Sequence, residues 1–303
     1  MNIVIYHDHC ADGFGAAYAA WLKLGDAAQF KPMSYGAVNS PQDFLDKVTL
    51  APWEASIYIL DFSFPQPVME WLWKSCPRVV WLDHHDTSFP IVGREPGQYL
   101  SECDPAFRGS DHEIVLDKGG SGALLAWEYF HPGTEVPELI QHIDDRDRWQ
   151  FKLEGSKEIH AALASYRPWT FKQWRPFLSN TYWDNKTQVE LAIEEGTAIL
   201  RAHNQHVQSV LKHARECLIT LEGEGLACNA PPFLASDLGH ELANKSGTFG
   251  LVWHLDRDLK VRCSLRSNGE YNVSSIAKRF GGGGHRNAAG FETDIDTLMG
   301  WLR

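Results

Sequence analysis

The chain of 303 residues lacks an apolar run long enough to cross a membrane, which would take about 20 consecutive residues in a helix. Its first residues, MNIVIYHDHCADG, have no basic segment, and their apolar stretch is too short for a signal peptide. With 44% hydrophobic and 22% charged residues, the composition is that of an ordinary globular protein. We therefore predict a cytoplasmic protein without a membrane partner.

Closely spaced cysteine pairs are also missing. The six cysteines are scattered along the chain, and no two of them form a C-x-x-C pair. This spacing predicts neither a zinc ribbon nor a disulfide framework.

The chain has no excess of positive charge, since its formal net charge is −11. Proteins that bind long duplex nucleic acid usually present a basic surface to many phosphates, so we expect no such partner. Locally, however, residues 260–290 contain one acidic residue, Glu270, and a set of basic ones: Lys260, Arg262, Arg266, Lys278, Arg279 and Arg286. This local balance favours a short anionic ligand.

The first half of the chain alternates strand-like and helical patterns. NIVIY, ASIYILDF and RVVWLD are short, β-branched or aromatic stretches that predict buried strands. Helical patterns follow them in GFGAAYAAWLKLG, PQPVMEWLWKSC and GGSGALLAWEYF. The alternation predicts an α/β fold with an N-terminal, doubly wound parallel sheet.

The second half predicts a connector and a smaller domain. Residues 166–186 are aromatic and proline-containing without a clean period, and residues 187–216 have the spacing of an amphipathic helix. From residue 217 onward, strand-like runs precede a helical NVSSIAKRF and the segment GGGGHRNAAGF. We therefore predict an α/β domain at 1–165, a helical connector at 166–216 and a smaller α/β domain at 217–303.

Acidic residues and histidines recur where the predicted strands end. Asp12 follows the first strand, Asp61 the second, and the triplet Asp83-His84-His85 the third. Because the carboxyl ends of parallel strands share one edge of a sheet, these side chains should converge. Buried carboxylates repel one another, and a divalent cation relieves that repulsion. Oxygen and imidazole ligands favour Mn²⁺ or Mg²⁺, then Fe or Co, over structural zinc.

A fourth acidic run, LIQHIDDRDRW, supplies Asp144, Asp145 and Asp147. Each acidic position also has a purely structural alternative. Asp12 could shape a turn with Gly13, Asp61 and Asp83 could cap helices, and one aspartate of this run could pair with Arg146 or Arg148. Their recurrence at successive strand ends favours the metal site.

This ordered set of motifs resembles the four motifs of the DHH phosphoesterase superfamily. The closing GGGGHRNAAGF is similar to the glycine-rich signature of the DHH-associated C-terminal domain, which nanoRNase/pAp-phosphatase-like and RecJ-type members carry. The two signatures lie at the expected ends, so the resemblance covers essentially the whole chain. It implies a catalytic domain at 1–165, a substrate-binding domain at 217–303 and two divalent cations, with manganese expected and magnesium or cobalt as alternatives.

The resemblance also implies a role for each matching residue. Asp61 would bridge both metals, while Asp12, His84 and Asp145 would complete one site, with Asp144 or Asp147 as alternatives to Asp145. His7 would belong to the other site. Two further residues would contribute to catalysis: Asp83 indirectly, by orienting a histidine, and His85 by facing the substrate phosphate.

Cys10 departs from the family pattern, which has an acidic residue at this position. A thiolate is a softer ligand and is charged only when its pKa is depressed. Cys10 could therefore be a ligand or a small packed residue, and His9 or Asp8 could complete the site in its place. The number of bound metals stays open.

The glycine-rich segment has a chemical logic of its own. Gly282, Gly283 and Gly284 would let backbone N–H groups converge on an anion, and His285 and Asn287 would add donors. The alternative is a flexible surface hairpin. Arg266 resembles the family's substrate-binding arginine, and its guanidinium could hold a phosphate in bidentate fashion.

Together these features predict a metal-dependent phosphoesterase acting on short oligonucleotides, dinucleotides or nucleoside bisphosphates. One alternative is a phosphoanhydride hydrolase for polyphosphate or pyrophosphate, and another is a nucleotide-binding protein that lost hydrolysis through Cys10. A base-stacking aromatic would favour nucleotides; Tyr271 and Phe280 are candidates, although either could belong to the core. Substrate length, end polarity, RNA or DNA preference and oligomeric state are left open.

Overall fold

The structure is a computed structural model that describes residues 1–48, 52–99, 111–178, 187–219, 223–269 and 271–303. Contacts between Cα atoms divide the chain into two compact units, Met1–Leu200 and Arg201–Arg303. The division falls inside the predicted connector, and the finer three-part division remains a prediction.

A parallel sheet of five strands forms the centre of the described part of the first unit. Its order is β2-β1-β3-β4-β5, and the strands are β1 (Asn2–His7), β2 (Gln29–Met33), β3 (Ser56–Leu60), β4 (Arg78–Asp83) and β5 (Glu113–Leu116). The predicted parallel α/β sheet is confirmed. Strands β2 and β5 were not predicted, because they lie at the two edges and lack the continuous apolar run of a strand buried on both faces.

Helices cover both faces of this sheet, as a doubly wound fold requires. They are α1 (Ala11–Leu24), α2 (Pro41–Lys47), α3 (Gln66–Ser75), α4 (Gly122–Phe130), α5 (Glu138–Asp147), α6 (Ser156–Ser165) and α7 (Phe171–Trp174). Successive strand residues point to opposite faces. Ile3 and Ile5 pack with side chains of α2 and α3, whereas Val4 and Tyr6 pack with α1, α4, α5 and α6.

The strand order creates a switch point between β1 and β3. From β1 the chain runs through α1 to β2, and from β3 it runs through α3, on the other face, to β4. The two connections therefore leave in opposite directions and open a crevice at the carboxyl ends of β1 and β3. Open α/β sheets bind their ligands at such points.

The aromatic residues of the predicted connector complete the core of the first unit. The rings of Phe171 and Trp174 lie 5.1 and 4.7 Å from the ring of Phe14 on α1. The following amphipathic pattern forms α8 (Gln188–Leu211), which ends before the predicted residue 216 because Arg215 begins a strand. Among the described helices, none has the length and apolar character needed to span a membrane.

The second unit contains a mixed sheet with the order β10-β11-β9-β8-β7-β6 in its described part. The strands are β6 (Arg215–Ile219), β7 (Gly223–Asn229), β8 (Phe249–Leu255), β9 (Val261–Ser267), β10 (Gly283–His285) and β11 (Ala288–Thr293). All neighbours are antiparallel except β7 and β8. With α9 (Ala235–Ser246), α10 (Val273–Arg279) and α11 (Ile295–Trp301), they form the smaller α/β domain that the sequence predicts.

A close approach between α8 and α6 gives a test of the packing in the first unit. A Cβ atom at Gly196 would lie 1.8 Å from the carbonyl oxygen of Glu158. We expect Gly196→Ala to lower the free energy of unfolding by about 1–3 kcal/mol, since the helices must separate. The neighbouring exposed Thr197→Ala should change it by less than about 0.5 kcal/mol. Urea denaturation measures both, and equal stabilities would contradict this packing.

Candidate metal centre

Side chains from three strands converge at the switch point. His7 is the last residue of β1, Asp61 follows β3 directly, and Asp83 ends β4 just before His84 and His85. The structure thus brings together side chains that are far apart in the sequence, at the edge where the strand pattern places them.

Asp61 lies at the centre of this group and is 1% exposed. Its Oδ1 lies 3.1 Å from Nε2 of His84, and its Oδ2 lies 3.6 Å from Nδ1 of His7. Its two oxygens therefore face two different histidines. The backbone of Asp61 has a φ of +54°, a left-handed conformation that costs free energy and is concentrated at functional sites.

Two buried atoms in this centre lack a hydrogen-bond partner among the described residues: Nδ1 of His7 and Oδ2 of Asp61. Leaving such atoms unsatisfied is costly. Together with Sγ of Cys10, these two side chains offer ligand atoms within 4.8 Å of one another. The residues present therefore fit a divalent cation at this position.

A second group of ligand atoms forms on the other side of Asp61. Nε2 of His84 lies 3.5 Å from Oδ2 of Asp12 and 3.6 Å from Oδ2 of Asp147. Asp12 is held in place by α4, because the backbone N–H groups of Gly122 and Ala123 donate to its carboxylate at 2.7 and 2.8 Å. This second group also offers the ligands that a divalent cation needs.

Gly122 permits the close contact between α4 and the centre. A Cβ atom at this position would lie 2.3 Å from Cβ of Asp61, closer than any real contact. Only glycine lets the first turn of α4 approach Asp61 and still donate to Asp12.

Asp83 is completely buried and faces the backbone of its own loop. Its carboxylate accepts hydrogen bonds from the backbone N–H of His84 at 2.8 Å, from Ser88 Oγ, and from Nδ1 of His85 at 2.7 Å. It thereby fixes the orientation of the His85 ring, whose Nδ1 lies 3.8 Å from Oδ1 of Asp61.

The three aspartates of α5 have different surroundings. Asp144 accepts from the backbone N–H of Ser121 at 2.7 Å and lies 3.3 Å from Arg148, so one aspartate of this run is paired with an arginine. Asp145, the expected ligand, instead accepts from Ser156 Oγ at 2.6 Å and from backbone N–H groups of the following loop. The structure brings Asp147 to His84 and Asp12, and does not bring Asp145 there.

The electrostatics of the centre reflect crowded negative charge. Burial, followed by repulsion from Asp61, raises the pKa of Asp12, and burial also raises the pKa of Asp147. Burial opposes ionisation of Asp61 as well, but its contacts with His7 and His84 hold its pKa below the usual range. Burial, with repulsion from Asp61 and Asp12, raises the pKa of Cys10, so the thiol is neutral without a metal.

The expected substrate-binding residues of the second unit lie around β9 to β11. Arg266 donates to the backbone oxygen of Leu265 and to Ser236 Oγ, both at 2.9 Å. Asn287 holds the turn after β10 against β9 through two hydrogen bonds from Ser267. The Ser267 backbone N–H donates to the Asn287 backbone oxygen, and the Ser267 hydroxyl donates to Asn287 Oδ1, both at 3.1 Å.

The glycine run forms an edge strand and not an open loop. Gly283 and Gly284 lie in β10, paired with Gly290 and Ala289 of β11. Cβ atoms at Gly282 and Gly284 would lie 2.1 Å from Gly290 O and 2.5 Å from Ala288 O. The backbone of His285 continues this strand, and its side chain is outside the described part of the structure.

The two candidate stacking aromatics belong to the core of the second unit. The ring of Phe280 stacks on Phe291 at 4.8 Å, and the ring of Tyr271 lies 5.7 Å from Phe249. Neither ring therefore distinguishes a nucleotide from another phosphorylated ligand.

Comparisons with known proteins agree with this architecture. Residues 234–299 match the model of the DHHA1 domain. The chain is 29% identical to the uncharacterised protein R106 of Acanthamoeba polyphaga mimivirus, over 96% of this chain and 67% of that protein. It is 22% identical to the oligoribonuclease NrnB of Bacillus subtilis, over 94% of this chain and 71% of that protein.

Solved structures share the fold across both units. The DHH domain of PF0399, a member of the s1p family of ribosomal proteins, superposes with a TM-score of 0.62 at 16% identity, over 95% of this chain and 82% of that chain. RecJ of Thermus thermophilus in complex with Mn²⁺ superposes with a TM-score of 0.50 at 14% identity, over 99% of this chain and 50% of that chain. The pGpG-specific phosphodiesterase PggH of Vibrio cholerae superposes with a TM-score of 0.50 at 11% identity, over 97% of this chain and 94% of that chain.

The DHHA1 match at residues 234–299 and the shared fold of DHH-family structures support a relationship of this chain to the DHH superfamily. Members of the DHH superfamily use divalent metals, and the acidic and histidine clusters at the switch point are suited to hold them. One further residue, Tyr35, lies beside the centre and was not predicted. Its ring lies 5.1 Å from that of His7, and a lone tyrosine after an edge strand gives no signal of this position.

Exchanging the two aspartates of α5 tests which of them binds metal. We expect Asp147→Asn to weaken Mn²⁺ binding at least about tenfold, because it removes a carboxylate beside His84 and Asp12. Asp145→Asn should mainly lower the free energy of unfolding, by about 1–3 kcal/mol, because it disturbs a buried acceptor. Calorimetric titration and urea denaturation measure both. Loss of metal binding in the Asp145 variant alone would reverse the assignment.

The protonation of His84 predicts a pH dependence of metal binding. Burial alone would lower its pKa, but contacts with Asp61 and Asp12 raise it to about 10. The imidazole is therefore protonated at neutral pH without metal, and a cation must displace that proton. Between about pH 6.5 and about 8.5, Mn²⁺ affinity should rise roughly tenfold per unit. Titrations in buffers of different ionisation enthalpy should show proton release; a pH-independent affinity would refute this.

Proposed function

We propose that the chain is a metal-dependent phosphoesterase that hydrolyses phosphodiester or phosphomonoester bonds of short oligonucleotides, dinucleotides or nucleoside bisphosphates. The observation that carries this proposal is the position of Asp61, whose two carboxylate oxygens face two separate groups of ligand atoms. A single carboxylate between two such groups is the arrangement of a two-metal phosphoesterase centre.

In this proposal His7 and Asp61, with Cys10 beside them, hold one cation, and Asp12, Asp61, His84 and Asp147 hold the other. Asp147 takes the role first expected for Asp145. Cations held by these residues would supply Lewis acidity, which would lower the pKa of an attacking water and stabilise charge on the phosphoryl oxygens. Manganese is the expected metal, with magnesium or cobalt as alternatives.

The surrounding residues position the reacting groups. Asp83 accepts from Nδ1 of His85, which leaves Nε2 of that ring to face the substrate phosphate. Burial alone would lower the pKa of His85, but Asp83 and Asp61 raise it, so a protonated ring can donate to a phosphate oxygen. Arg266, Gly282, Gly283, Gly284, His285 and Asn287 remain the proposed contacts to the rest of the substrate.

The choice of substrate class follows the charge and the relatives. An acidic chain with a locally basic second unit suits a short anionic substrate better than a long duplex. Two similar proteins are named as an oligoribonuclease and a pGpG-specific phosphodiesterase, which supports a short nucleotide substrate here. The proposed location is the cytoplasm.

A substrate panel with added Mn²⁺ tests the proposed function. It should contain di- to decanucleotides, a nucleoside 3′,5′-bisphosphate, cyclic dinucleotides and polyphosphate, with products separated by chromatography. Turnover of a nucleotide supports the proposal. Turnover of polyphosphate alone would favour the phosphoanhydride alternative, and binding without turnover would favour a nucleotide-binding protein.

Asp61→Asn tests the mechanism directly. We expect it to reduce kcat about 100-fold or more, because one residue serves both groups of ligands. The matched control is Asp86→Asn, since the Asp86 carboxylate pairs with Lys118 near the surface; its kcat should stay within about twofold. Turnover of the Asp61 variant near the wild-type rate would contradict the proposed centre.

A further inference from the structure

The loop that follows Asp147 contains two aromatic residues in a strained conformation. Trp149 and Phe151 have φ values of +56° and +50°. Large side chains rarely adopt this left-handed region, because Cβ crowds the following carbonyl oxygen. Such strain persists only where the surroundings over-determine it, and it is concentrated at sites of ligand binding and catalysis.

Asp145 supplies the interactions that hold this loop. Its backbone oxygen and its carboxylate together accept hydrogen bonds, at 2.8 to 3.4 Å, from the N–H groups of Gln150, Phe151, Lys152 and Leu153. Asp145 is 5% exposed, and its carboxylate also accepts from Ser156 Oγ. These bonds fix the strained backbone in one conformation, so the two aromatic rings are presented rigidly.

The loop presents an exposed indole next to a cation. Trp149 is 44% exposed, and the guanidinium carbon of Arg146 lies 4.2 Å from the centre of its ring. The ring of Phe151 packs edge-to-face against the Trp149 ring, with their centres 5.0 Å apart. A rigid, exposed aromatic ring beside a positive charge is the combination on which single-stranded nucleic acids stack their bases.

Arg146 connects this indole to the candidate metal centre. It lines a cavity of about 50 Å³ together with Cys10, Asp12 and Asp147. The Arg146 side chain thus lies over the Trp149 ring and also lines the cavity that contains the proposed ligands Asp12 and Asp147. Trp149 also follows the proposed ligand Asp147 by only two residues, a backbone span of at most about 7 Å, so a base on its ring would lie close to the proposed metal centre.

We infer that Trp149 stacks a nucleobase of the substrate next to the scissile phosphate, with Arg146 and Phe151 fixing the ring from its other sides. Asp145 is then a positioning residue for this platform. The inference rests on the proposed phosphoesterase function and adds the site in the first unit where a base is recognised. It predicts selection for substrates that carry a base at that position.

Kinetics of tryptophan variants with matched substrates test the inference. The substrates are a dinucleotide and two analogues, each of which lacks one of its two bases. Trp149→Ala should raise KM for the dinucleotide about 5- to 100-fold, the usual cost of losing one base-stacking ring, and leave kcat within about threefold. One abasic analogue should be hydrolysed equally well by the wild type and the variant. Trp149→Phe should recover most of the affinity.

Trp53→Ala is the control for loss of an exposed indole. Trp53 is 57% exposed and lies in the 3-10 turn Pro52–Glu54, which precedes β3 at the amino-terminal edge of the sheet. The KM and kcat of Trp53→Ala should match those of the wild type. Equal turnover of the insensitive abasic analogue by Trp149→Ala would also show that this variant is folded.

Two results would overturn the inference while leaving the proposed function intact: an unchanged KM of Trp149→Ala for the dinucleotide, or an equal increase in KM for all three substrates. If the wild type does not hydrolyse the dinucleotide, the stacking site is tested by binding alone. Fluorescence polarisation then measures the affinity of the wild type and of Trp149→Ala for a labelled dinucleotide. Weaker binding by Trp149→Ala would support the stacking site although the proposed function had failed. Equal binding by both proteins would overturn it.

Discussion

Repulsion among buried carboxylates governs the architecture of the first unit. Asp12, Asp61 and Asp147 all surround His84, and such a group is tolerated only when positive charge compensates it. Without a metal, His84 supplies that charge by retaining a proton. In the proposed metal-bound state the proton would leave, and the same oxygens would become ligands. The proposed centre would therefore exchange one kind of positive charge for another.

Backbone donors fix several of the aspartates in and around the centre. The first turn of α4 donates to Asp12, the loop after β4 donates to Asp83, and the loop after α5 donates to Asp145. Backbone groups have little freedom to move, so the carboxylates keep their positions despite their mutual repulsion. Positive φ values occur at Asp61, Trp149 and Phe151, within or next to this centre, as well as at His9 and Leu259.

The sequence predicts the parallel sheet well, because its central strands are buried on both faces and read as apolar runs. It does not predict the edge strands β2 and β5, because polar and apolar residues are mixed along them. The motifs place His7, Asp61 and His84 at strand ends, and the sheet then brings them together. Helical spacing alone does not choose among the aspartates of α5: Asp144 and Asp147 share a stripe with Ile140 and Ile143, and Asp145 lies off it. The exposed, strained Trp149 could not be predicted, because backbone strain leaves no mark in the sequence.

The bonds from α4 to Asp12 have a practical consequence. One carboxylate both anchors the first turn of α4 and belongs to the proposed ligand set, so metal loading and cohesion between α1 and α4 are thermodynamically linked. Protein purified in chelating buffers would melt at a lower temperature and be digested more readily by proteases than the metal-loaded protein. Preparations of the same chain could thus differ in stability according to their history of metal exposure alone.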